Sequence, residues 1–239
     1  MERQAEKHEK LVKISQYLEN CLTNHYPTIF TDANGIEETT IVNDGEVLRM
    51  VLRGVAFEDT MFDSFEPVEG TDSRLLREFT LNRNELCSCR FKFVISIPVI
   101  VNGRDSTGSL LCSLNLGPPG NTGGIETETL KIVLNHEGRE YASSGTSGWF
   151  ENELIDIQKE LPSDMFMKAC INCQFSDYSP AGHGFFGCMY CYRNIKSEYL
   201  KVKTKQDFFQ ILQKAERSVQ ETYLCEEFER RVPGTGYRG

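Results

Sequence analysis

The sequence contains no apolar run of the ~18 residues that a membrane-spanning helix requires. Its longest apolar tract, Phe91–Ile100, is broken by Lys92, Ser96 and Pro98. The first residues, MERQAEKHEK, are charged and helix-forming, without the apolar core of a signal peptide. Neither end carries a lipidation signal. These absences predict a cytoplasmic location. No Gly-x-Ser-x-Gly elbow, His-Glu-x-x-His pair or phosphate-binding loop occurs. The zinc-deaminase pattern also fails, because no His-x-Glu precedes a Cys-x-x-Cys in the required way. Recognised catalytic signatures are thus missing, and there is no internal repeat.

Positive charge is the scarcer sign. The chain of 239 residues has 26 Lys+Arg against 35 Asp+Glu, a net charge of -9. A protein that coats nucleic acid over its whole surface would be basic. The deficit is local. Residues 25–72 hold eleven acids against Arg49 and Arg53 alone, so this stretch equals the whole excess. It reads either as a solvated acidic surface or as a docking face for a basic partner. Glu58, Asp59, Asp63 and Glu66 are the expected contact residues on that face.

What is present fits a soluble folded protein of one large or two small domains, 39% hydrophobic and 26% charged. Leu11, Ile14, Leu18 and Leu22 predict an amphipathic helix over 2–22. Residues 28–45 are polar and turn-rich, with turns at Asn34–Gly35 and Asp44–Gly45. Val47, Met50, Leu52, Val55 and Phe57 predict one strand with a bulge near Arg53–Gly54. Strands follow over 75–82, 87–101 and 109–116, then a hairpin over 128–144. Ser147 is a candidate cap for a helix over 149–161, which Pro162 stops. A final helix is expected over 205–228 with Thr204 as its cap, burying Phe208, Ile211, Leu212, Ala215, Val219, Thr222 and Tyr223. The expected fold class is α+β: an antiparallel β-sandwich-like body with a C-terminal zinc-knuckle and helical subdomain. The expected boundaries are 1–24 for the N-terminal helix, 25–146 for the β-rich domain and 147–239 for the cysteine-rich subdomain.

Nine cysteines are an odd number, a poor basis for a disulfide framework. Cys170-x2-Cys173 and Cys188-x2-Cys191 are separated by fourteen residues. Two such knuckles can place four thiolates at the corners of a tetrahedron, which suits a structural Zn²⁺. Cys21, Cys87, Cys89, Cys112 and Cys225 read as mostly buried apolar thiols. Between the knuckles lie Asp177, Tyr178 and His183, a set able to do acid–base work, with Phe185 and Phe186 beside them. Arg193, Lys196, Lys201, Lys203 and Lys205 form a basic run that could hold phosphate or RNA. Arg230, Arg231, Tyr237 and Arg238 could do the same, and the glycine-rich tail could insert into a groove of its own chain or of a partner.

The segments ACINCQFSDYSP and PGTGYRG, with the strands FKFVISIPVIVNG and GSLLCSLNLG, resemble a bacterial family catalogued as a domain of unknown function. The resemblance covers about residues 85–239 and implies no activity or catalytic residue. A small acidic protein of this type is also similar to the antitoxin partners of bacterial toxin–immunity systems. The favoured expectation is a binding protein, an immunity-type inhibitor of a basic toxin or effector, stabilised by structural zinc. The alternative is a zinc-containing enzyme or a nucleic-acid-binding adaptor using residues 176–205.

Overall fold

Strict alternation of buried and exposed side chains shapes the first two-thirds of the chain. The computed structural model describes residues 23–121, 123–182 and 184–237. The expected helix over 2–22 lies outside these residues, as do His183 and Arg238. β1 (Asn24–Asp32) and β2 (Gly35–Asn43) form a fully registered antiparallel hairpin. This corrects the turn-rich reading of 28–45. β1 buries Tyr26, Thr28 and Phe30, whereas β2 buries no side chain until Ile41. Its composition therefore imitates a loop, and pairing with β1 makes it a strand.

β3 (Leu48–Leu52) and β4 (Val55–Asp59) form a second hairpin where one bulged strand was expected. Arg53 and Gly54 make its two-residue turn, with φ of 47° and 76°. Both central residues lie in the left-handed region, as the turn matched to strand twist requires. An arginine is an uncommon residue there, which hides the turn in the sequence. β5 (Glu66–Pro67) follows, then a 3₁₀ turn over Leu75–Glu78 and the short strands β6 (Leu81–Asn82) and β7 (Glu85–Leu86). The continuous strand expected over 75–82 is not formed.

β8 (Cys89–Val101) and β9 (Arg104–Leu116) pair along their whole length across Asn102–Gly103. β10 (Glu128–His136) and β11 (Arg139–Ala142) complete the predicted hairpin. The helix α1 (Phe150–Glu160) follows, with Trp149 at its N-cap position. Ser147, the expected cap, sits two residues earlier and accepts the Trp149 N–H instead. The buried Glu153 carboxylate receives N–H bonds from Gly145 and Ser147, at 2.7 and 2.9 Å. Burial pushes this carboxyl up, but those bonds and the serine hydroxyls outweigh it and hold it below its usual range.

β12 (Met165–Met167) returns to pair with β8. The result is one antiparallel ten-stranded sheet in the order β11-β10-β9-β8-β1-β2-β3-β4-β5, with β12 beside the far half of β8. The expected β-rich α+β class is seen, with the strands hydrogen-bonded as one continuous sheet. Its buried face is filled by aromatics delivered from loops and from α1. Phe62 stacks on Phe93 at 4.3 Å and touches Phe186 at 4.4 Å, while Phe150 meets Phe186 edge-on at 4.9 Å.

Beyond β12 the elements are short. A 3₁₀ turn spans Cys170–Asn172, and β13 (Ser176–Tyr178), β14 (Met189–Cys191) and β15 (Arg217–Val219) form a three-stranded sheet. Between β14 and β15 lie α2 (Lys196–Tyr199) and α3 (Lys205–Ile211). Thr204 caps α3 as expected, in a reciprocal capping box with Asp207. The helix does not run on to Phe228. It ends in a 3₁₀ turn over Leu212–Lys214, because Arg217–Val219 is taken up as the strand beside β14. A second core of Phe175, Tyr192, Tyr199, Val202, Phe208 and Ile211 lies here, with Tyr192 and Tyr199 stacked at 5.0 Å. No helix among the described residues is long and apolar enough to cross a membrane.

Candidate functional site

The cysteine-rich segment folds as three strands crossed by two returning segments. The 3₁₀ turn at Cys170 carries the first knuckle. The Cys173 N–H bonds to the Cys170 carbonyl at 3.0 Å. In such a turn the side chains at i and i+3 eclipse, which sets the two thiols on one side. The second pair behaves differently. Cys188 directly precedes the strand β14 and Cys191 ends it. Residues three apart along an extended chain point to opposite faces. Cys188 accordingly lies beside Glu221 and Asp63, with the Gly184 N–H on its sulfur at 3.1 Å. Cys191 lies on the other side, near Cys173 and Cys225.

The structure therefore brings Cys170, Cys173 and Cys191 together and leaves Cys188 apart. Burial pushes the Cys170 thiol up, and the nearby Cys173, Cys191 and Cys225 add to the effect. As the side chains stand, no group of three or more His, Cys, Asp or Glu among the described residues is set to hold a metal ion. The eight described cysteines are all free thiols. Sequence spacing missed Cys225, because nothing local to it has a knuckle pattern.

Asp177 and Tyr178 are adjacent on β13 and so face opposite ways. The Tyr199 hydroxyl donates to Asp177 Oδ2 at 2.7 Å. The Tyr178 hydroxyl donates to Glu221 Oε1 at 3.0 Å. Both residues are buried, and they do not converge on an open cleft. Glu221 also accepts the Gly187 N–H at 2.9 Å, while its own carbonyl accepts the Ile171 N–H. It thereby ties the 3₁₀ turn, β13 and the start of β14 together. Burial pushes its carboxyl up to about 7. Phe185 and Phe186, from the same loop, are buried in the core of the large sheet.

The basic run is largely engaged within the chain. Arg193 pairs with Glu216, and Lys196 with Glu227 and Glu229 at 3.2 and 3.1 Å. Lys203 donates to the Gly234 carbonyl at 2.7 Å. The C-terminal tail packs on its own chain: Tyr237 lies against Phe208 at 5.3 Å. Arg231 donates to the carbonyls of Cys173 and Ser176. A cleft of about 730 Å³ opens between the large sheet and β15, lined by Tyr26, Glu46, Ile95, Arg217, Gln220 and Tyr223 among others.

The four acidic residues singled out from the sequence lie at or near the β4–β5 end of the large sheet. Glu58 stands opposite Glu66 in register across β4 and β5. Arg49 contacts Glu58 at 3.1 Å, and Asn84 donates to Glu66 at 3.2 Å. Asp59 accepts the N–H of Met61 at 3.0 Å. Burial, then the charges of Asp59 and Glu85, push the Asp63 carboxyl up to about 6. Burial and the charges of Glu66 and Asp59 push Glu85 up as well.

No curated protein and no solved structure matches the chain. A family model, described as a family of unknown function (DUF6304), matches residues 24–176. That span starts at β1, takes in the whole ten-stranded sheet and ends just past Cys170 and Cys173. With well over half of its length covered, the chain belongs to this family of unknown function.

Proposed function

We propose that this protein works by binding a basic protein partner through the β4–β5 edge, as an immunity-type inhibitor of a toxin or effector. The observation that supports this is the directly opposed pair Glu58 and Glu66, with Asp59, Asp63 and Glu85 close by. Like charges facing each other across a strand pair are destabilising. Arg49 offsets Glu58 only from within the chain, and a basic surface docked on the remaining acids would speed association and select against acidic partners. Free thiols fit a reducing compartment, and the cytoplasm belongs to the same proposal.

The alternative, an enzyme or nucleic-acid adaptor built on residues 176–205, has less support. Asp177 and Tyr178 are buried with different partners, and Arg193 and Lys196 are neutralised by glutamates. The test is affinity capture with the tagged chain, comparing wild type with Glu58→Lys/Asp59→Lys/Glu66→Lys. Asp63 is left in place because it is partly enclosed. The expected result is a basic protein held by the wild type, released by added salt and not captured by the folded variant. Equal capture by both proteins rejects this face.

A further inference from the structure

We propose a structural zinc site formed by Cys170, Cys173, Cys191 and Cys225, with Cys188 excluded from it. The backbone carries this assignment. Cys170 and Cys173 occupy the two ends of one 3₁₀ turn. Cys191 stands in register opposite Ser176, whose hydroxyl bonds back to the Cys170 carbonyl at 2.5 Å. The segment bearing Cys225 is clasped onto the same turn from its far side. The Cys170 N–H donates to the Tyr223 carbonyl at 2.7 Å, and the Gln174 N–H to the Glu229 carbonyl at 2.8 Å. The Arg231 N–H returns to the Asn172 carbonyl at 2.8 Å. Three distant stretches of chain thus deliver four cysteines to one place.

Donor groups stand close to the sulfurs. The Phe175 N–H donates to the Cys173 sulfur at 3.5 Å, and Arg193 lies close to Cys191. The Arg193 guanidinium is close to Cys225 and Arg217 is close to Cys170, while burial and the neighbouring thiols push the Cys170 thiol up. Four thiolates on a divalent ion carry two net negative charges; Arg217 stands near Cys170, while Arg193 already pairs with Glu216. Tetrahedral coordination by four sulfurs at ~2.3 Å is the chemistry of structural Zn²⁺. Because the thiols are not at ligating distance as they stand, capture requires their side chains to turn toward one another. Cys188 cannot join by such a rotation, since it leaves β14 on the opposite face beside Glu221.

The experiment is metal analysis of the full chain purified under reducing conditions, followed by titration of stripped protein with Zn²⁺ and with Co²⁺. Wild type and Cys188→Ser are expected to hold one zinc per chain. Both should also give the intense visible spectrum of tetrahedral four-thiolate cobalt. Cys225→Ser is expected to lose stoichiometric zinc and the four-thiolate spectrum. Should Cys225→Ser fold poorly, Cys188→Ser decides alone: loss of metal or of the cobalt spectrum in that variant overturns the assignment. A wild type that takes up neither metal overturns it as well.

Discussion

Glu221 is a carboxylate enclosed by protein, held by the Tyr178 hydroxyl and the Gly187 N–H. Those two bonds favour its charged form, yet burial wins and pushes the group up to about 7. An unfolded glutamate titrates at ~4.3. Between these values the folded chain keeps a proton that the unfolded chain has released. Stability therefore falls as pH rises from about 4.3 to about 7, and the penalty is complete above that. Its size is on the order of 3 kcal/mol. Glu221→Gln stays neutral throughout. The variant is expected to gain stability relative to wild type at pH 8 and to lose that gain at pH 4. Urea unfolding at the two pH values measures it, and a pH-independent difference would contradict the account. The cysteines differ for a reason that also belongs to single residues. Cys170-x2-Cys173 is legible in the sequence because a tight turn joins its members. Cys188-x2-Cys191 has the same spacing across an extended strand, which sends its sulfurs apart.

The hairpin of β3 and β4 depends on its turn residue. Arg53 adopts a left-handed conformation and sends its guanidinium to both oxygens of Asp32, each at 2.7 Å. The same group lies over the rings of Phe79 and Phe30, at 5.1 and 5.6 Å. Burial raises the Asp32 carboxyl, but Arg53 and nearby backbone N–H groups outweigh it and hold it below its usual range. One side chain thus fastens the β3–β4 turn to the end of β1. Lysine has neither the planar fork nor the stacking face. Arg53→Lys is expected to cost ~2 kcal/mol, read as a lower urea midpoint with an unchanged slope. A midpoint equal to wild type would show the contact to be incidental. Elements with strict alternation and ordinary turns, β8 to β11, are readable from the amino-acid pattern alone. So is α1, with its buried Phe150, Leu154 and Ile157. The end of α3 is not. Val219 continues a helical stripe on paper, yet it pairs with Met189 in the small sheet.

At the scale of the molecule, two cores share a boundary. The large one lies on the ten-stranded sheet and the smaller one around Tyr192, Tyr199 and Phe208. They meet where Phe166 of β12 stacks on Phe228 at 6.4 Å and along β14, whose Met189 and Cys191 belong to the large core while Tyr190 packs on the smaller one. The tail closes the smaller core. Gly236 has a φ of 69°, and a Cβ there would fall 2.5 Å from the Tyr199 hydroxyl. Its lack of a side chain lets Tyr237 reach Phe208. Removal of residues 232–239 is expected to speed hydrogen exchange in α2 and α3 by ~10-fold or more, through an opening about 1.4 kcal/mol cheaper. The strands β8, β9 and β10 should keep their protection. Uniform loosening of both regions would mean that the two cores open as one.

Local pattern decided the β-rich class, the long central strands, α1 and the cap of α3. Each depends on neighbours within a few residues, where alternation, capping and turn chemistry act. The acidic stretch was equally visible, because charge is counted along the chain. Only the tertiary structure decided that the body is one sheet, that Glu58 faces Glu66, and that Cys225, not Cys188, lies near Cys170. Those relations join residues far apart in sequence. They follow from which strand edges remain unpaired, and from which side of a strand each side chain leaves.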